Sequence, residues 1–501
     1  MKRVALTVII SFLITASFAQ KLYHEQYRPQ VHFSPPAHWM NDPNGMVDYK
    51  GVYHLFYQHY PKATVWGPMH WGHATSTDLI HWNNKPIALY PDSLGDIFSG
   101  SAVVDVNNTS GFGKNGQPPL VAIFTNAKRI DAKDGTYYDQ NQSLAYSNDG
   151  GKTWHKYAHN PVLRNPNIKD FRDPKVSWYA SGKKWIMTLA VKDHIEFYSS
   201  PNLKQWTKES EFGQNLGAHG GVWECPDLFP MTANDGKKEW VLIVNINPGG
   251  PQGGSATQYF TGNFDGKTFT PNYTGTRWLD AGSDEYAGVT FNNTAGRRIF
   301  LGWMSNWNYA QNVPTQAWRS AMTVPREVKL VKVDTCYCVA SEPVKELSII
   351  KGRPVILSNI KGNADLTKTI KRSYQQYQLN LSSKHLKSFS ITFSNDKGEK
   401  LAAGFDAGDN SWFIDRSQAG ESGFNKDFAK RLEAPRIVKG NSSDITLIID
   451  EASIELFADK GLTTMTSIFF PQKPLTKISI SSADGFWADK IIYTPLKSIW
   501  P

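Results

Sequence analysis

Ser76-Thr77-Asp78-Leu79, followed by Trp82, is a phrase that this chain says four times. Ser147-Asn148-Asp149-Gly150 with Trp154 and Ser200-Pro201-Asn202-Leu203 with Trp206 repeat it, and Asn263-Phe264-Asp265-Gly266 with Phe269 is a weaker copy. Each couples a turn built from Ser, Asp, Asn or Gly to an aromatic a few residues later. The aromatics stand 72, 52 and 63 residues apart. That spacing leaves room for four short strands and their loops, which is the unit of a propeller blade.

Between the copies lie short apolar and alternating segments: "GVYHLFYQ" (51–58), "LVAIFTN" (120–126), "EWVLIVNI" (239–246) and "RRIFLGWM" (297–304). Gly, Asn, Asp or Pro bounds each one, which is the pattern of an all-β chain. About 310 residues divided by such a unit gives five blades. An irregular sandwich with chance turn similarity is the plainer alternative. After residue 340 the phrase stops, and "YQLNLSS", "FSITFSN" and "TKISISS" alternate strictly, as two packed antiparallel sheets require. Thr323-Val324-Pro325-Arg326-Glu327 reads as the passage between the two parts. The expected fold is therefore all-β: a five-bladed β-propeller over 28–335, then a β-sandwich over 345–501.

A chain of 501 residues is too long for one small core. Its 54 Lys and Arg against 45 Asp and Glu leave a net charge of +9, scattered along the sequence. No basic block suggests a nucleic-acid partner. The 17 Trp, 21 Tyr and 26 Phe mostly serve packing, although an excess of Trp also suits sugar faces, whose C–H groups lie well against aromatic rings. Lys2-Arg3, the apolar run Val4 to Ile14 and Ser17-Phe18-Ala19 read as a cleavable export signal over 1–19. The apolar run is too short for a membrane span, and no cysteine stands at the cleavage point for a lipid anchor. The expected product is secreted or periplasmic. Cys336 and Cys338 alternate along a strand and Cys225 lies far away, so neither a disulfide framework nor a zinc site is expected.

In a propeller, residues from different blades meet at the central channel, so catalytic groups should recur about a blade apart. Asp42 in "HWMNDPNG", Asp173 in "DFRDP" and Glu224 in "VWECPDLF" are separated by 131 and 51 residues. Each has an ordinary alternative. Asp42 sits among natural turn-formers, Asp173 precedes a proline and has Arg172 as an ion partner, and Glu224 could be a satisfied buried acid. Trp223, Cys225, Pro226, Leu228 and Phe229 surround Glu224 in sequence, which suggests an apolar site and a raised pKa. An ionised Asp42 among amide donors and a protonated Glu224 would form the two-carboxylate pair of a glycosidase, with no metal and no cofactor.

"WMNDPNG" (39–45), "FRDP" (171–174) and "ECPD" (224–227), in that order, resemble the signatures of glycoside hydrolase family 32, the invertases, inulinases and levanases. "FYQ" (56–58), "WG" (66–67), "FSGS" (98–101), "DEYA" (284–287) and "AWRS" (317–320) are also similar to family segments. The resemblance implies a five-bladed propeller followed by a sandwich, and a retaining β-fructosidase. Asp42 would be the nucleophile, Glu224 the acid/base, and Asp173 with Arg172 would hold fructose hydroxyls and stabilise the transition state. Asn41, Gln58, Trp66, Ser99, Tyr286 and Trp318 would line the fructose pocket. Cys225 would help keep Glu224 protonated by limiting its hydration.

Residues 245–266, "NINPGGPQGGSATQYFTGNFDG", resemble the exo-acting inulinase and levanase branch, which implies release of terminal fructose from fructans, and from sucrose too. A glycine-rich blade loop without specificity is the alternative for that segment. Ser147-x-Asp149-x-Gly151-x-x-Trp154 also fits the Asp-box of sialidases, which is a structural turn there; the arginine cluster those enzymes need is missing. An endo-levanase, a fructosyltransferase and a non-catalytic fructan-binding protein are the remaining alternatives. Loss of one of the three acids would favour the last, and all three are present.

Overall fold

The repeated phrase folds the same way each time. The Asp78 carboxylate accepts the backbone N–H groups of Ile80 and His81. Asp149 does this for Lys152 and Thr153, Asn202 for Lys204 and Gln205, and Asp265 for Lys267 and Thr268. The indoles of Trp154 and Trp206 then fold back and donate to the carbonyls of Gly151 and Leu203. Each copy is an Asx turn joining the third strand of a sheet to the fourth.

The computed structural model describes residues 22–132, 135–371 and 375–501. The expected export signal lies outside the described residues. Blade one holds His38–Tyr49, Val52–Tyr60, His70–Ser76 and Asn83–Leu89. Blade two holds Asp96–Val104, Leu120–Ala132, Gly135–Ser147 and His155–Lys156. Blade three holds Phe171–Tyr179, Lys184–Val191, His194–Ser200 and Thr207–Phe212, and blade four Val222–Thr232, Lys238–Asn247, Ala256–Phe264 and Phe269–Pro271. Blade five is built on Tyr286–Thr290, Ile299–Met304, Arg326–Val333 and Cys336–Pro343.

The first strand of each blade is innermost, and these strands touch in sequence around a closed ring. Closure comes from Trp318–Arg319, which pairs in parallel with His38–Trp39, and from the Asp48 N–H on the Asn292 carbonyl at 3.0 Å. The fifth blade runs past residue 335, because Asp334-Thr335 is a hairpin turn with Asp334 at φ +52°. Thr323–Glu327 consequently belongs to that blade rather than to a linker. The connection is the segment from Val344 through the 3₁₀ turn Lys345–Ile350.

Two six-stranded antiparallel sheets form the sandwich. Alternation buries Tyr377, Leu379 and Leu381 of one sheet against Phe389, Ile391 and Phe393 of the other. The strand Thr463–Ile468 docks on the propeller. Ala281 N–H donates to the Thr464 carbonyl at 2.8 Å, and Asp284 N–H to that of Thr466 at 3.1 Å. Gly282 permits the approach, since a Cβ there would stand 2.2 Å from the Thr466 carbonyl oxygen.

The seam between the parts is ionic and fully buried. Arg326 pairs with Asp280 at 2.9 Å and with Glu455, Arg416 pairs with Asp284 at 2.6 Å, and His32 bridges Asp450 and Glu455 at 2.7 and 2.8 Å. No helix among the described residues is long and apolar enough to cross a membrane.

Candidate active site

All five innermost strands lose register with their neighbours near their N-terminal ends. The shifts fall between Met40 and Pro43, Ile97 and Gly100, Arg172 and Lys175, Glu224 and Asp227, and Tyr286 and Val289. A bulge breaks side-chain alternation and re-aims side chains, here toward one mouth of the channel. Asp173, Cys225 and Ala287 have φ of +63°, +42° and +54°, a conformation that costs a non-glycine residue on the order of 1 kcal/mol or more.

Asp42, Asp173 and Glu224 line a single cavity of about 300 Å³ together with Asn41, Gln58, Trp66, Ser99 and Arg172. Asp42 is held from both sides. Asn41 Nδ2 donates to Oδ1 at 2.9 Å, and the Ser99 hydroxyl donates to Oδ2 at 2.6 Å. The Asn41 amide is oriented in turn by Trp39, whose indole N–H donates to its oxygen at 2.7 Å. Gln58 is anchored on the Ile97 carbonyl at 3.0 Å.

Glu224 does not sit in an apolar pocket, contrary to the expectation from its sequence neighbours. It faces the channel, where Arg172 Nη2 and Nε donate to Oε1 at 2.8 and 3.2 Å and the Tyr286 hydroxyl donates to Oε2. Its apolar neighbours pack between blades, with Trp223 and Leu228 in the core shared by blades three and four. The bulge separates the two environments.

Cys225 also differs from expectation. Its thiol points at Asp42 Oδ2, 3.5 Å away, and its N–H donates to Asp173 Oδ2 at 3.1 Å. It couples the other two acids instead of shielding Glu224. Burial, reinforced by the surrounding carboxylates, raises the thiol pKa, so the group is a neutral donor.

The acids outnumber the cations here. Arg172 contacts Glu224, Asp173 (3.8 Å) and Asp170 (2.6 Å), and among the described residues is the one cation lining the cavity. Burial and the Glu224 charge raise the Asp42 pKa against the hydrogen bonds from Ser99, Asn41 and Cys225. Burial pushes Asp173 up to about 7, with Glu224 and Asp42 adding to the effect and Arg172 opposing it. Burial and the Glu224 charge hold the Tyr286 hydroxyl well above its ordinary pKa, as a neutral donor.

Two predicted pocket residues are absent from the cavity lining: Tyr286 is buried behind Glu224 as its hydrogen-bond donor, and Trp318 lies elsewhere. Its strand runs parallel to His38–Trp39 on the ring closure, and the indole packs under the Arg28 guanidinium at 4.4 Å among Tyr27, Met304 and Phe470 at the seam. Several pocket residues escaped the sequence reading: Phe98, Tyr138, Gln140, Asp170, Trp307 and Gln311. Phe98 and Asp170 lie inside the quoted segments "FSGS" and "DFRDP" without having been given a role, whereas Tyr138 and Gln140 carry no local signal. Trp66, Phe98 and Tyr138 form an aromatic wall, with ring centroids 5.5–6.2 Å apart.

Comparison with known proteins gives matches over both parts of the chain. Residues 32–341 match the glycosyl hydrolases family 32 N-terminal domain, and residues 350–497 match the family 32 C-terminal domain. A levanase of Bacillus subtilis is 45% identical, covering 100% of this chain and 76% of the relative. An extracellular exo-inulinase of Aspergillus niger is 38% identical over 93% of this chain and 94% of its own. The crystal structure of exo-inulinase from Aspergillus awamori superposes with a TM-score of 0.87 at 35% identity, covering 95% of this chain and all of that one. A β-fructofuranosidase of Schwanniomyces occidentalis complexed with fructosyl-erythritol superposes with a TM-score of 0.86 at 34% identity, over 95% and 99% of the two chains. Propeller and sandwich agree with these matches, and the chain belongs to glycoside hydrolase family 32.

Proposed function

We propose that this glycosidase removes terminal β-D-fructosyl units from levan- and inulin-type fructans, and from sucrose, with retention at the anomeric carbon. Asp42 attacks that carbon while Glu224 gives its proton to the departing glycosidic oxygen, leaving a fructosyl ester on Asp42. Glu224 then takes a proton from water, which attacks the same carbon and frees Asp42. The Asp42 Oδ2 atom accepts from both Ser99 and Cys225 and Oδ1 from Asn41 alone, so Oδ1 has the more available lone pairs and is the attacking atom. Asp173 and Arg172 hold the sugar hydroxyls, and Tyr286 with Arg172 positions the Glu224 carboxyl.

The observation that carries this reading is the convergence of three acids in one small cavity whose inner end is stoppered. Farther along the same strands, Lys175 pairs with Asp227 at 3.2 Å and donates to the Thr290 carbonyl, all buried. A dead-end pocket accepts a chain end and cannot thread a chain, which supports exo action. The names of the relatives, levanase and exo-inulinase, support fructans as substrates. The expected export signal and the extracellular exo-inulinase relatives support action outside the cytoplasm.

Incubation with levan, inulin and sucrose, with products followed by chromatography, tests the reading. Free fructose as the sole early product is expected. A ladder of oligosaccharides would make the enzyme endo-acting, and fructose-extended sucrose would make it a transferase.

A further inference from the structure

The channel has a second mouth. At the far ends of the inner strands, a cleft of about 540 Å³ opens between blades two to five, larger than the catalytic cavity of about 300 Å³. The buried Lys175–Asp227 pair and Thr290, whose hydroxyl donates to Asp227 at 2.7 Å, lie between the two. Asp227, the cleft residue on this strand nearest the acids, stands three positions, about 10 Å, from Glu224, and the buried Lys175–Asp227 pair closes the way between, so a ligand in this cleft does not touch the acids.

Trp178 and Tyr179 end the inner strand of blade three and point to opposite sides of it. Trp178 packs edge-on against Trp185 at 5.0 Å, and Tyr179 packs against Trp240 of the next blade at 5.9 Å. Each remains partly exposed on the cleft side. Among the described residues, neither the Trp178 nor the Trp240 indole N–H has an acceptor. The Arg298 guanidinium lies 5.1 Å over the Phe229 ring and likewise has no hydrogen-bond acceptor among the described residues. Asn107 and Asn293 stand exposed at the rim.

Flat rings interleaved with unsatisfied planar donors suit a ligand that has both C–H faces and many hydroxyls. The charge argues the same way. Asp227 is neutralised by Lys175, and a single guanidinium remains, so neither a polyanion nor a polycation is matched. A neutral polysaccharide is.

We propose that this cleft is a second, non-catalytic binding site for a fructan chain, anchoring the polymer while the opposite mouth trims free ends. The proposal rests on fructans being the substrate, and it predicts a separation between polymer and disaccharide. Native electrophoresis through gels containing levan, inulin or dextran measures binding, run on the Glu224→Gln background so that the polymer survives. Retardation by levan or inulin and not by dextran is expected. Trp178→Ala should weaken it about five- to tenfold, the effect of losing one stacked ring, and raise KM on the polymer while leaving sucrose kcat/KM unchanged.

Because Trp178→Ala removes a partly buried ring, Arg298→Leu serves as the second variant; it deprives no protein group of a hydrogen bond. Both variants should share the wild-type thermal midpoint within a few degrees. Retardation that persists in both, or its absence from the parent protein, overturns the site. Fructan hydrolysis failing in the wild-type protein while Trp178-dependent retardation persists on the Glu224→Gln background would overturn the substrate reading and keep the site.

Discussion

The catalytic mouth and the seam between propeller and sandwich are built from the same materials and behave oppositely. At the seam Arg326 serves Asp280 and Glu455, Arg416 serves Asp284 and His32 serves Asp450, and the acid left over, Glu285, is pushed up to about 8 by burial and the Asp280 charge. At the mouth, Asp42, Asp173 and Glu224 share one guanidinium, and burial raises the pKa of the first two. Satisfied buried charge fixes geometry, whereas under-compensated charge stores reactivity. The difference in backbone follows the same line, since the mouth carries the bulges and the left-handed Asp173 and Cys225.

Substitutions that remove reactive groups should separate activity from stability most sharply. Asp42→Asn is expected to lower kcat about 10⁴-fold or more, and Glu224→Gln about 10²- to 10⁴-fold, with the thermal midpoint close to wild type. At the seam the pattern should invert. Arg326→Met leaves Asp280 buried without its cation and Glu455 with His32 alone, and should cost about 3–5 kcal/mol in denaturant unfolding, while turnover per folded molecule stays near normal. Large losses of turnover in the folded Arg326 variant would erase the distinction between the regions.

The two regions also differ in how they respond to pH. Burial opposes charge on His32, but hydrogen bonds to Asp450 and Glu455 outweigh it and bring its pKa to about 9. The folded pKa exceeds the unfolded value of about 6.5. The stabilisation is therefore complete below about pH 6.5 and is lost as pH rises through about 9, a loss on the order of 3 kcal/mol. Unfolding free energy measured across that window should fall, and His32→Gln should flatten the slope. The smallest effect is expected at Cys225. Its thiol hydrogen bond lowers the Asp42 pKa, so Cys225→Ala should move the acid limb of kcat/KM to higher pH with only a modest loss at the optimum.

What the sequence makes legible is what is local. The Asx turns are closed by residues within five positions of each other, so the blade unit could be read from Asp78, Asp149, Asn202 and Asp265, and the count of five from the length divided by that unit. The three acids were legible because each sits inside a compact motif. The surroundings of Glu224 were not, because its partners Arg172 and Tyr286 come from other blades and a bulge cancels the alternation that neighbours suggest. Trp318 misled for a related reason: a four-residue motif does not reveal which face of a parallel pair its indole takes. Tyr138 and Gln140 reach the cavity only because their hairpin is long, and the final pocket wall is a property of the ring.

Trapping the covalent intermediate tests the central role given to Asp42 most directly. The Glu224→Gln enzyme is treated with an activated β-fructoside whose leaving group needs no proton, then quenched, digested and sequenced by mass spectrometry. One hexosyl group on the peptide containing Asp42 is the expected result. An adduct on Asp173, or on any other residue, would contradict it.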